Sequence, residues 1–432
     1  MILKILLIIQ LGDWQFNNIM KIIYLHQYFN TPEMSGGVRS YDVAKHLVDN
    51  GHTVEMVTTN RSLSNSSGWK ISNEGGINVH WLSLFYSNKL SYFKRLLAFF
   101  SFAYHAAKKG SKLQGDVVFA TSTPLTIAIP ALYISWRKSI PMVFEVRDLW
   151  PDVPIAVGVI KNPIAKYLAK LLESYTYKKS KAVIALSDGM KDGIIKAGCE
   201  ESKIVVIPNF SNRELFSTKN TGKGFRAERG WLEDSPLLVY TGAFGMINGV
   251  DYLVDIAEQL ALLKSDIKIL LIGGGKQYDN IILYAQKKNV LNNNLFIEGD
   301  ISKSELPQLL AAADLASNIV INVPEVWNNS ANKFFDALAS GTPVLINGGG
   351  WQADLINAED AGITTFGLTL YQAALKINEF LHDKERLGRS SKRAQIIAEK
   401  YFDKGDLVKK IEQTLLLSIN KKDINSSMVG LK

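Results

Sequence analysis

Short apolar runs alternate with longer amphipathic stretches along most of the chain. The runs KIIYL (21–25) and HTVEMVTT (52–59) predict strands, and the stretch VRSYDVAKHLVDNG (38–51) between them has helical periodicity. Later runs of the same strand type in the first half are VVFATS (117–122), MVFEVRD (142–148), AVIALS (182–187) and KIVVIPN (203–209). Strands that alternate with helices in this way predict parallel sheets covered on both faces, which is an α/β fold.

A second series of the same kind follows a polar segment at 211–235. Its members are LLVYTG (237–242), NGVDYLVDIAEQLALLK (248–264), IKILLIGGG (267–275), NLFIEGD (294–300), SKSELPQLLAAAD (302–314) and ASNIVINVP (316–324). Two helical segments, at about 369–383 and 386–419, end the chain. Because 432 residues are too many for one core, the two series predict two Rossmann-like domains that face each other across a cleft.

The composition shifts set the expected boundaries. The predicted parts are an upstream extension (1–19), a first domain (20–210), a linker (211–235), a second domain (236–390), a C-terminal helix that could pack back on the first domain (391–420) and a flexible tail (421–432). The extension has an apolar run of signal-peptide length, but no small-residue cleavage site follows it. Met20 opens the first strand and is the expected usual start, which N-terminal sequencing of the native protein would test.

The stretch NNSANKFFDALASGTPVLIN (328–347) carries the first candidate chemistry. Asn328, Asn329 and Ser330 are residue types that cap helices, and a helix is expected at 331–339. A helix start offers free backbone N–H groups and partial positive charge, so it can hold a phosphate. Lys333 in the first turn would add a full charge. The stretch is equally compatible with an ordinary capped helix.

Composition narrows the class of partner. The net charge of +8 favours anionic partners, such as a phosphate-rich ligand, a membrane surface or nucleic acid. Nucleic acid is not expected, because RRM signatures, zinc-finger spacings and long basic runs are absent from the sequence. A single cysteine, Cys199, fits a reducing compartment, and we expect a cytoplasmic protein.

Residues 84–113 do not follow the alternation of strand-like and helix-like stretches. They combine Phe, Tyr and Leu with basic residues at Lys89, Lys94, Arg95, Lys108, Lys109 and Lys112. A helix with an aromatic face and basic flanks could lie on an anionic membrane surface, or it could bury its apolar face against the sheet. The sequence leaves both open, and the membrane interpretation predicts a protein peripheral to the inner face of the cell membrane.

Several motifs together resemble those of glycosyltransferase family 4, whose members have the GT-B fold. In the first half these are SGGVR (35–39), the strand GHTVEMVTT (51–59) and FEVRDLWPD (144–152). In the second half they are YTGAFGMINGVDYL (240–253), KILLIGGG (268–275), NLFIEGDISKSEL (294–306) and NKFFDALASGTPVLI (332–346). The resemblance runs from Met20 over nearly all of the chain. The stretches STPLTIAIPAL and EVRDLWPD make it most similar to bacterial surface-polysaccharide transferases of the fucosamine-transferase-like group.

The resemblance implies the site residues. Catalytic roles would fall to Arg147, Asp148 and Lys333. The donor-binding residues would be Gly36, Gly37, Gly242, Ala243, Gly299, Asp300, Ile301, Ser330, Ala331, Asn332, Lys333 and Asp336, with Asp336 on the ribose hydroxyls. His26 and Arg39 would lie on the acceptor side. The resemblance further implies a reaction without metal ion or cofactor, in which amides and cations meet the diphosphate charge.

The sequence departs from the commonest family pattern at three places. The family's first of two glutamates maps to Asn328, while the second maps to Asp336. Its usual Arg and Lys after the first strand of the second domain map to Ala243 and Asn248, and its usual His-Asp maps to Arg147-Asp148. We interpret these departures as subfamily change, with Lys333 and Arg147 as replacement cations.

The resemblance therefore implies a retaining glycosyltransferase of O-antigen, capsule or exopolysaccharide biosynthesis. It would move a sugar, with an N-acetylated deoxyhexosamine as one candidate, from a UDP-linked donor to a polyprenyl-diphosphate-linked saccharide. The alternatives are a nucleotide-sugar epimerase on the same fold, or a degenerate protein that binds nucleotide sugars without turnover. A dinucleotide oxidoreductase is disfavoured, because the first loop lacks G-x-G-x-x-G.

Overall fold

The computed structural model of the protein describes residues 19–34, 36–60, 68–85, 91–216 and 221–420. Nearly all of the expected upstream extension and the whole expected tail at 421–432 lie outside these residues. Within the described part, no helix combines the length and apolar character needed to cross a bilayer.

The first domain is built on an eight-stranded sheet. In space the strands lie in the order β3-β4-β2-β1-β5-β6-β7-β8, and all neighbours are parallel except β3 and β4. The strands are β1 (Lys21–Leu25), β2 (Thr53–Asn60), β3 (Trp69–Glu74), β4 (Ile77–Ser83), β5 (Val117–Thr121), β6 (Met142–Val146), β7 (Ala182–Ala185) and β8 (Ile204–Val206). The central strands are almost wholly buried, as expected for a parallel sheet that helices cover on both faces.

The β3–β4 hairpin at the sheet edge was not predicted from the sequence. Its antiparallel pairing runs from Trp69↔Leu82 to Glu74↔Ile77. Gly75 and Gly76 form the turn, and both have positive φ (62° and 94°), a conformation that glycine adopts without steric cost. The Gly-Gly pair was an available turn signal, although the β3 residues before it do not form an apolar run.

In the described residues of this domain, six helices connect the strands: α1 (Arg39–Asp49), α2 (Tyr92–Gly110), α3 (Ala128–Lys138), α4 (Asp152–Ala156), α5 (Pro163–Lys179) and α6 (Asp188–Lys196). The crossover from β1 to β2 runs opposite in direction to those from β4 to β5, β5 to β6 and β6 to β7. Because parallel crossovers are right-handed, α1 lies on one face of the sheet, and α2, α3 and α5 lie on the other.

The second domain repeats the design with a smaller, wholly parallel sheet in the order β11-β10-β9-β12-β13-β14. Its strands are β9 (Leu237–Thr241), β10 (Lys268–Ile272), β11 (Leu295–Glu298), β12 (Leu315–Asn318), β13 (Val344–Ile346) and β14 (Gly362–Thr364). Its helices are α7 (Lys223–Ala227), α8 (Asp251–Leu262), α9 (Tyr278–Lys287), α10 (Leu306–Ala312), α11 (Pro324–Trp327), α12 (Asn332–Ser340), α13 (Trp351–Glu359), α14 (Leu370–His382) and α15 (Lys384–Phe402). This is the strand order of a Rossmann fold, with its switch point between β9 and β12.

In the segment 211–235, which was predicted to be a linker, the described residues 211–216 and 221–235 pack on the second domain. Phe216 and Leu232 are buried in the core that faces α12, and Arg226 on α7 pairs with Asp314 at 2.7 Å. The chain therefore passes between the domains just before this segment, at 207–211.

The C-terminal helices also differ from the prediction. The expected helix at 386–419 is interrupted at Asp403, which ends α15 and begins α16 (Lys404–Ile419). Leu407 and Ile411 of α16 belong to the core of the first domain, so this helix does pack back on it. The two passages between the domains touch, since the Ser211 amide donates to the Phe402 carbonyl at 2.7 Å.

Candidate functional site

A cavity of about 360 Å³ lies between the two domains at the carboxyl ends of their central strands. This volume is in the range of small-molecule sites, and the position is the one that open α/β sheets use for ligands. Its polar and charged lining includes His26, Tyr28, Asn30, Ser122, Thr123, Arg147, Asp148 and Asn209, and, from the second domain, Asn248, Asn318, Glu325, Asn328, Asn329, Ser330, Asn332 and Lys333.

The start of α12 forms one wall of the cavity. The helix begins at Asn332 with Ala331 as its N-cap residue, and no side chain caps it, contrary to the expectation for the Asn-Asn-Ser run. The Ser330 hydroxyl instead accepts a hydrogen bond from the Asn209 amide at 3.3 Å, and the Ser330 carbonyl accepts one from the Asn209 side chain. Because side-chain caps are lacking, the first-turn N–H groups remain able to bind an anion.

Lys333 follows in the first turn and also lines the cavity. Its Nζ is buried, makes no hydrogen bond within the described part of the chain, and lies 4.0 Å from the centre of the Tyr240 ring. Burial lowers the pKa of this amine to about 7. A lysine held this way is ready to take up a proton when an anion arrives, since a nearby negative charge favours its charged form.

Arg147 and Asp148 reach the same cavity from the opposite domain, at the end of β6. The Arg147 amide donates to Ser122 Oγ at 3.0 Å, and Thr123 Oγ1 donates to Asp148 Oδ2 at 2.7 Å. These bonds fix the two residues from the neighbouring strand end, after β5. The predicted catalytic residues Arg147, Asp148 and Lys333 are thus brought together around one space.

The glycine loop before α1 touches the helix start across the cleft. A Cβ added at Gly37 would collide with the Asn332 side chain and would lie 3.8 Å from the Arg147 guanidinium. Gly36 has a φ of 114° and does not itself line the cavity. His26, directly after β1, is 3% exposed and lines the wall.

Arg39 does not line the cavity. It is 2% exposed, and its guanidinium lies 2.9 Å from Glu145 Oε1. It also donates to the carbonyls of Ile207 (3.2 Å) and Pro208 (2.8 Å), where the chain leaves the first domain. Burial alone would raise the pKa of Glu145, but Arg39 and Arg147 hold it below its usual range. The expected acceptor contact is replaced by a buried ion pair that supports the passage between domains.

Asp336 lies one turn into α12 and pairs with Lys303 at 2.6 Å. It is 8% exposed and is not in the cavity wall. Lys303 follows the predicted donor-binding bend Gly299–Asp300–Ile301, so the ion pair between Lys303 and Asp336 connects that bend to α12. A ribose hydroxyl that reached this carboxylate would share it with Lys303.

The remaining predicted donor residues lie beside the cavity instead of in its wall. The Gly242 amide is already engaged with the Ile272 carbonyl at 3.0 Å. A Cβ at Gly242, however, would lie only 3.6 Å from Lys333 Nζ. The Ala243 carbonyl accepts from Asn248 Nδ2 at 2.7 Å. The bend at 299–301 does not line the cavity, and its Asp300 side chain lies close to Gly274 in the turn after β10.

Asn328, which stands at the family's first glutamate position, contacts the first domain. Its carbonyl accepts a hydrogen bond from Ser187 Oγ at 2.9 Å. Its side chain packs so closely on Gly189 of α6 that a Cβ there would collide with the carboxamide. An uncharged residue suits this contact, because a glutamate pressed on the first domain would carry its charge into a crowded interface.

Sequence reasoning missed several lining residues, among them Tyr28, Asn30, Ser122, Thr123, Asn209 and Asn318. Ser122 and Thr123 directly follow β5 and Asn318 ends β12, so their position at strand ends was an available signal. Asn209 closes the run 203–209 that was predicted as a strand, but its contact with Ser330 of the other domain could not be inferred from that position. Among the described residues, no group of His, Cys, Asp and Glu is arranged to hold a metal ion.

Two family models match the chain in succession. The first, described as "Glycosyl transferase 4-like domain", covers residues 36–209, and the second, described as "Glycosyl transferases group 1", covers residues 223–401. The chain belongs to glycosyltransferase family 4. The two matched regions correspond to the two domains of the structure, and the passage at 207–211 lies at the end of the first.

Solved structures of other proteins share this fold. HepE from Anabaena in complex with UDP-glucose superposes with a TM-score of 0.69 at 18% identity, over 92% of this chain and 99% of that one. Sucrose-phosphate synthase from Thermosynechococcus elongatus gives 0.75 at 16% identity, over 93% and 100%. These similarities confirm the predicted GT-B fold.

A curated relative is the lipopolysaccharide 1,2-N-acetylglucosaminetransferase of Salmonella typhimurium. It is 26% identical over 223 residues, which are 48% of this chain and 56% of the relative. The chain spans between about half and two thirds of the length of the curated relatives that it matches.

Proposed function

We propose that this family 4 protein transfers a sugar from a nucleotide-diphosphate donor, with UDP as the carrier, to a lipid-linked saccharide. The observation that carries the proposal is the uncapped helix start with Lys333, which faces a cavity between the two domains. The UDP-glucose complex of HepE and the lipopolysaccharide transferase of Salmonella support the donor and acceptor classes. Retention of configuration and independence from metal ions follow from the family resemblance.

The proposed donor sits with its diphosphate on the first-turn amides of α12. Lys333 Nζ would bind a phosphate oxygen, and Arg147 would add a second cation from the first domain. Charge that develops on the departing diphosphate is then met by preorganised donors. Asp336 would accept from the ribose, and the bend 299–301 would lie against the base.

The acceptor is proposed to approach from the first-domain side of the cavity. As its hydroxyl oxygen bonds to the anomeric carbon, the bond from that carbon to the diphosphate breaks, and the hydroxyl proton must leave. Two carboxylates of the cavity wall, Asp148 and Glu325, are candidates to receive or guide that proton. His26 would contact the acceptor. We further propose that the donor carries a deoxyhexosamine and that the protein acts in O-antigen or capsule assembly. It would act at the inner face of the membrane.

Measurement of UDP release separates this function from its alternatives. With UDP-sugar donors and a polyprenyl-diphosphate-linked saccharide, we expect release that depends on the acceptor. Interconversion of free donor sugars without acceptor would indicate an epimerase. Binding of UDP without any turnover across donors and acceptors would indicate a degenerate binding protein.

UDP binding should depend on pH through Lys333. Because the pKa of the free amine is about 7 and a bound phosphate raises it, binding above that pH must take up a proton. Affinity should fall by up to tenfold per unit as the pH rises above about 7. Calorimetry in buffers of different ionisation enthalpy measures both effects. Lys333→Met should abolish the proton uptake, and an unchanged uptake in that variant would assign it to another group.

The contact between Asn328 and Gly189 predicts that substitution of Gly189 lowers the activity. Gly189→Val places a side chain against the Asn328 carboxamide where the domains touch, so Asn328 must shift in the cavity wall, and kcat/KM should fall by about tenfold or more. Gly388→Val is the matched control, since a Cβ at Gly388 meets nothing within 4 Å. Steady-state kinetics test this, and equal activity of the two variants would show that the contact does not set the geometry of the site.

A further inference from the structure

Helices α2 and α5 of the first domain each expose a stripe of large apolar side chains. On α2 the stripe is Phe93, Leu97, Phe100 and Tyr104, which are 50–67% exposed. On α5 it is Ile164, Tyr167, Leu168, Leu171 and Tyr175, which are 51–68% exposed. The spacings of three and four residues place each set on one side of its helix.

Helix α3 joins the two stripes into one surface. It packs against α2 on one side and α5 on the other, and all three helices lie on the same face of the sheet. It exposes Tyr133 (39%) and Trp136 (77%), whose rings lie 6.2 Å apart. We call the combined outer side of α2, α3 and α5 the three-helix face. Single exposed apolar residues are common on proteins, but a contiguous set of this kind marks a docking surface.

The charge of the three-helix face is mainly positive, although Lys170 of α5 pairs with Asp152 of the neighbouring α4 at 3.4 Å. Its basic residues are Lys94, Arg95, Lys108, Lys109, Arg137, Lys138, Lys166, Lys170, Lys178 and Lys179. The one carboxylate in the three helices, Glu173, is 4% exposed and bonded to the Tyr177 hydroxyl at 3.1 Å. The three helices therefore present apolar and cationic groups to solvent without an acidic side chain between them.

We infer that the three-helix face docks on an anionic lipid bilayer. Aromatic and leucine side chains can enter the headgroup boundary, while Lys and Arg extend their charged ends to lipid phosphates. A protein partner is the weaker alternative, because charged residues are depleted at the cores of protein interfaces. The sequence pointed only to 84–113, and residues 86–90 of that segment lie outside the described residues. The structure adds α3 and α5, and so enlarges one amphipathic helix to a broad surface.

This placement has a consequence for the proposed function, on which it rests. Helices in a parallel α/β domain run opposite to the strands, so the first turns of α2 and α5 lie near the carboxyl edge of the sheet. The cavity opens at that edge. Phe93 and Ile164 in these first turns would bring the edge close to the lipid surface, where a lipid-linked saccharide would present its sugar.

Vesicle co-sedimentation of the full chain tests the inference. The probes are vesicles of phosphatidylcholine alone and of phosphatidylcholine mixed with phosphatidylglycerol. We expect binding to the mixed vesicles that weakens with salt. Leu168→Glu with Leu171→Glu on α5 should lower the partition coefficient by about tenfold or more, as should Leu97→Glu with Phe100→Glu on α2. The control is Leu262→Glu with Leu283→Glu in the second domain, where the leucines are 71% and 62% exposed.

Wild-type-like vesicle binding by the α5 variant would overturn the inference, and so would an equal loss of vesicle binding in the control variant. A third contradicting result is a wild-type chain that does not bind vesicles but forms a dimer that the α5 substitutions dissociate. Sedimentation velocity detects that dimer. UDP affinity of each variant shows that the fold is intact. Vesicle binding requires no turnover, so an inactive protein that still binds vesicles would contradict only the proposed function.

Discussion

Replacement of Lys333 with methionine should lower kcat/KM by about 10²- to 10³-fold, the usual cost of removing one charge-stabilising donor from a reaction centre. Methionine preserves the packing on Tyr240 but removes the only lysine amine in the cavity lining that the structure describes. Because the lysine meets charge that develops on the leaving diphosphate, most of the loss should appear in kcat. Steady-state kinetics with the active donor and acceptor measure it.

The control for this variant is Lys287→Met, an exposed lysine on α9 that should tolerate the change. Because Lys333 is buried, the stability of the variant can also be predicted. An uncharged side chain avoids the cost that lowers the pKa of the amine, so the variant should be as stable as the parent or more so. A stable variant with unchanged kinetics would remove Lys333 from the site.

Replacement of Arg39 with methionine should lower the free energy of unfolding by about 3–5 kcal/mol, because it leaves Glu145 buried without its charge partner. The variant also loses the donors to the carbonyls of Ile207 and Pro208, where the chain passes to the second domain. Denaturant unfolding measures the loss. An exposed arginine of α3, Arg137→Met, is the control.

A paired substitution separates an ion pair from an acceptor contact. Arg39→Met combined with Glu145→Leu removes both charges, so it should recover most of the lost stability. Activity should recover with it if Arg39 only supports the fold. Restored stability with a persistently raised KM for the acceptor would return Arg39 to the acceptor side, where the sequence interpretation placed it.

Strand positions could be predicted from the sequence because each buried strand is a short apolar run between polar turns. The prediction for β1 matches the structure residue for residue, at Lys21–Leu25. The edge hairpin was missed because β3 is half exposed and lacks such a run. The break at Asp403 was missed because a helix interruption without proline leaves little trace in an apolar pattern.

Positions in the cavity wall were predictable where they follow from local structure. Arg147 and Asp148 directly follow β6 and Lys333 lies in the first turn of α12, and all three line the cavity. Arg39, Asn209 and Asn328 were not predictable in this way, because their partners lie more than a hundred residues away in the chain. Contacts across two domains are fixed by how the domains meet, which periodicity and motifs do not describe.

A crystal structure of the protein with UDP would show where the diphosphate binds. We expect the diphosphate at the start of α12, bonded to the amides of residues 331–333, with Lys333 Nζ at hydrogen-bond distance from a phosphate oxygen. A diphosphate bound elsewhere in the chain, with Lys333 still packed on Tyr240 and without contact to the phosphates, would contradict the proposed donor site.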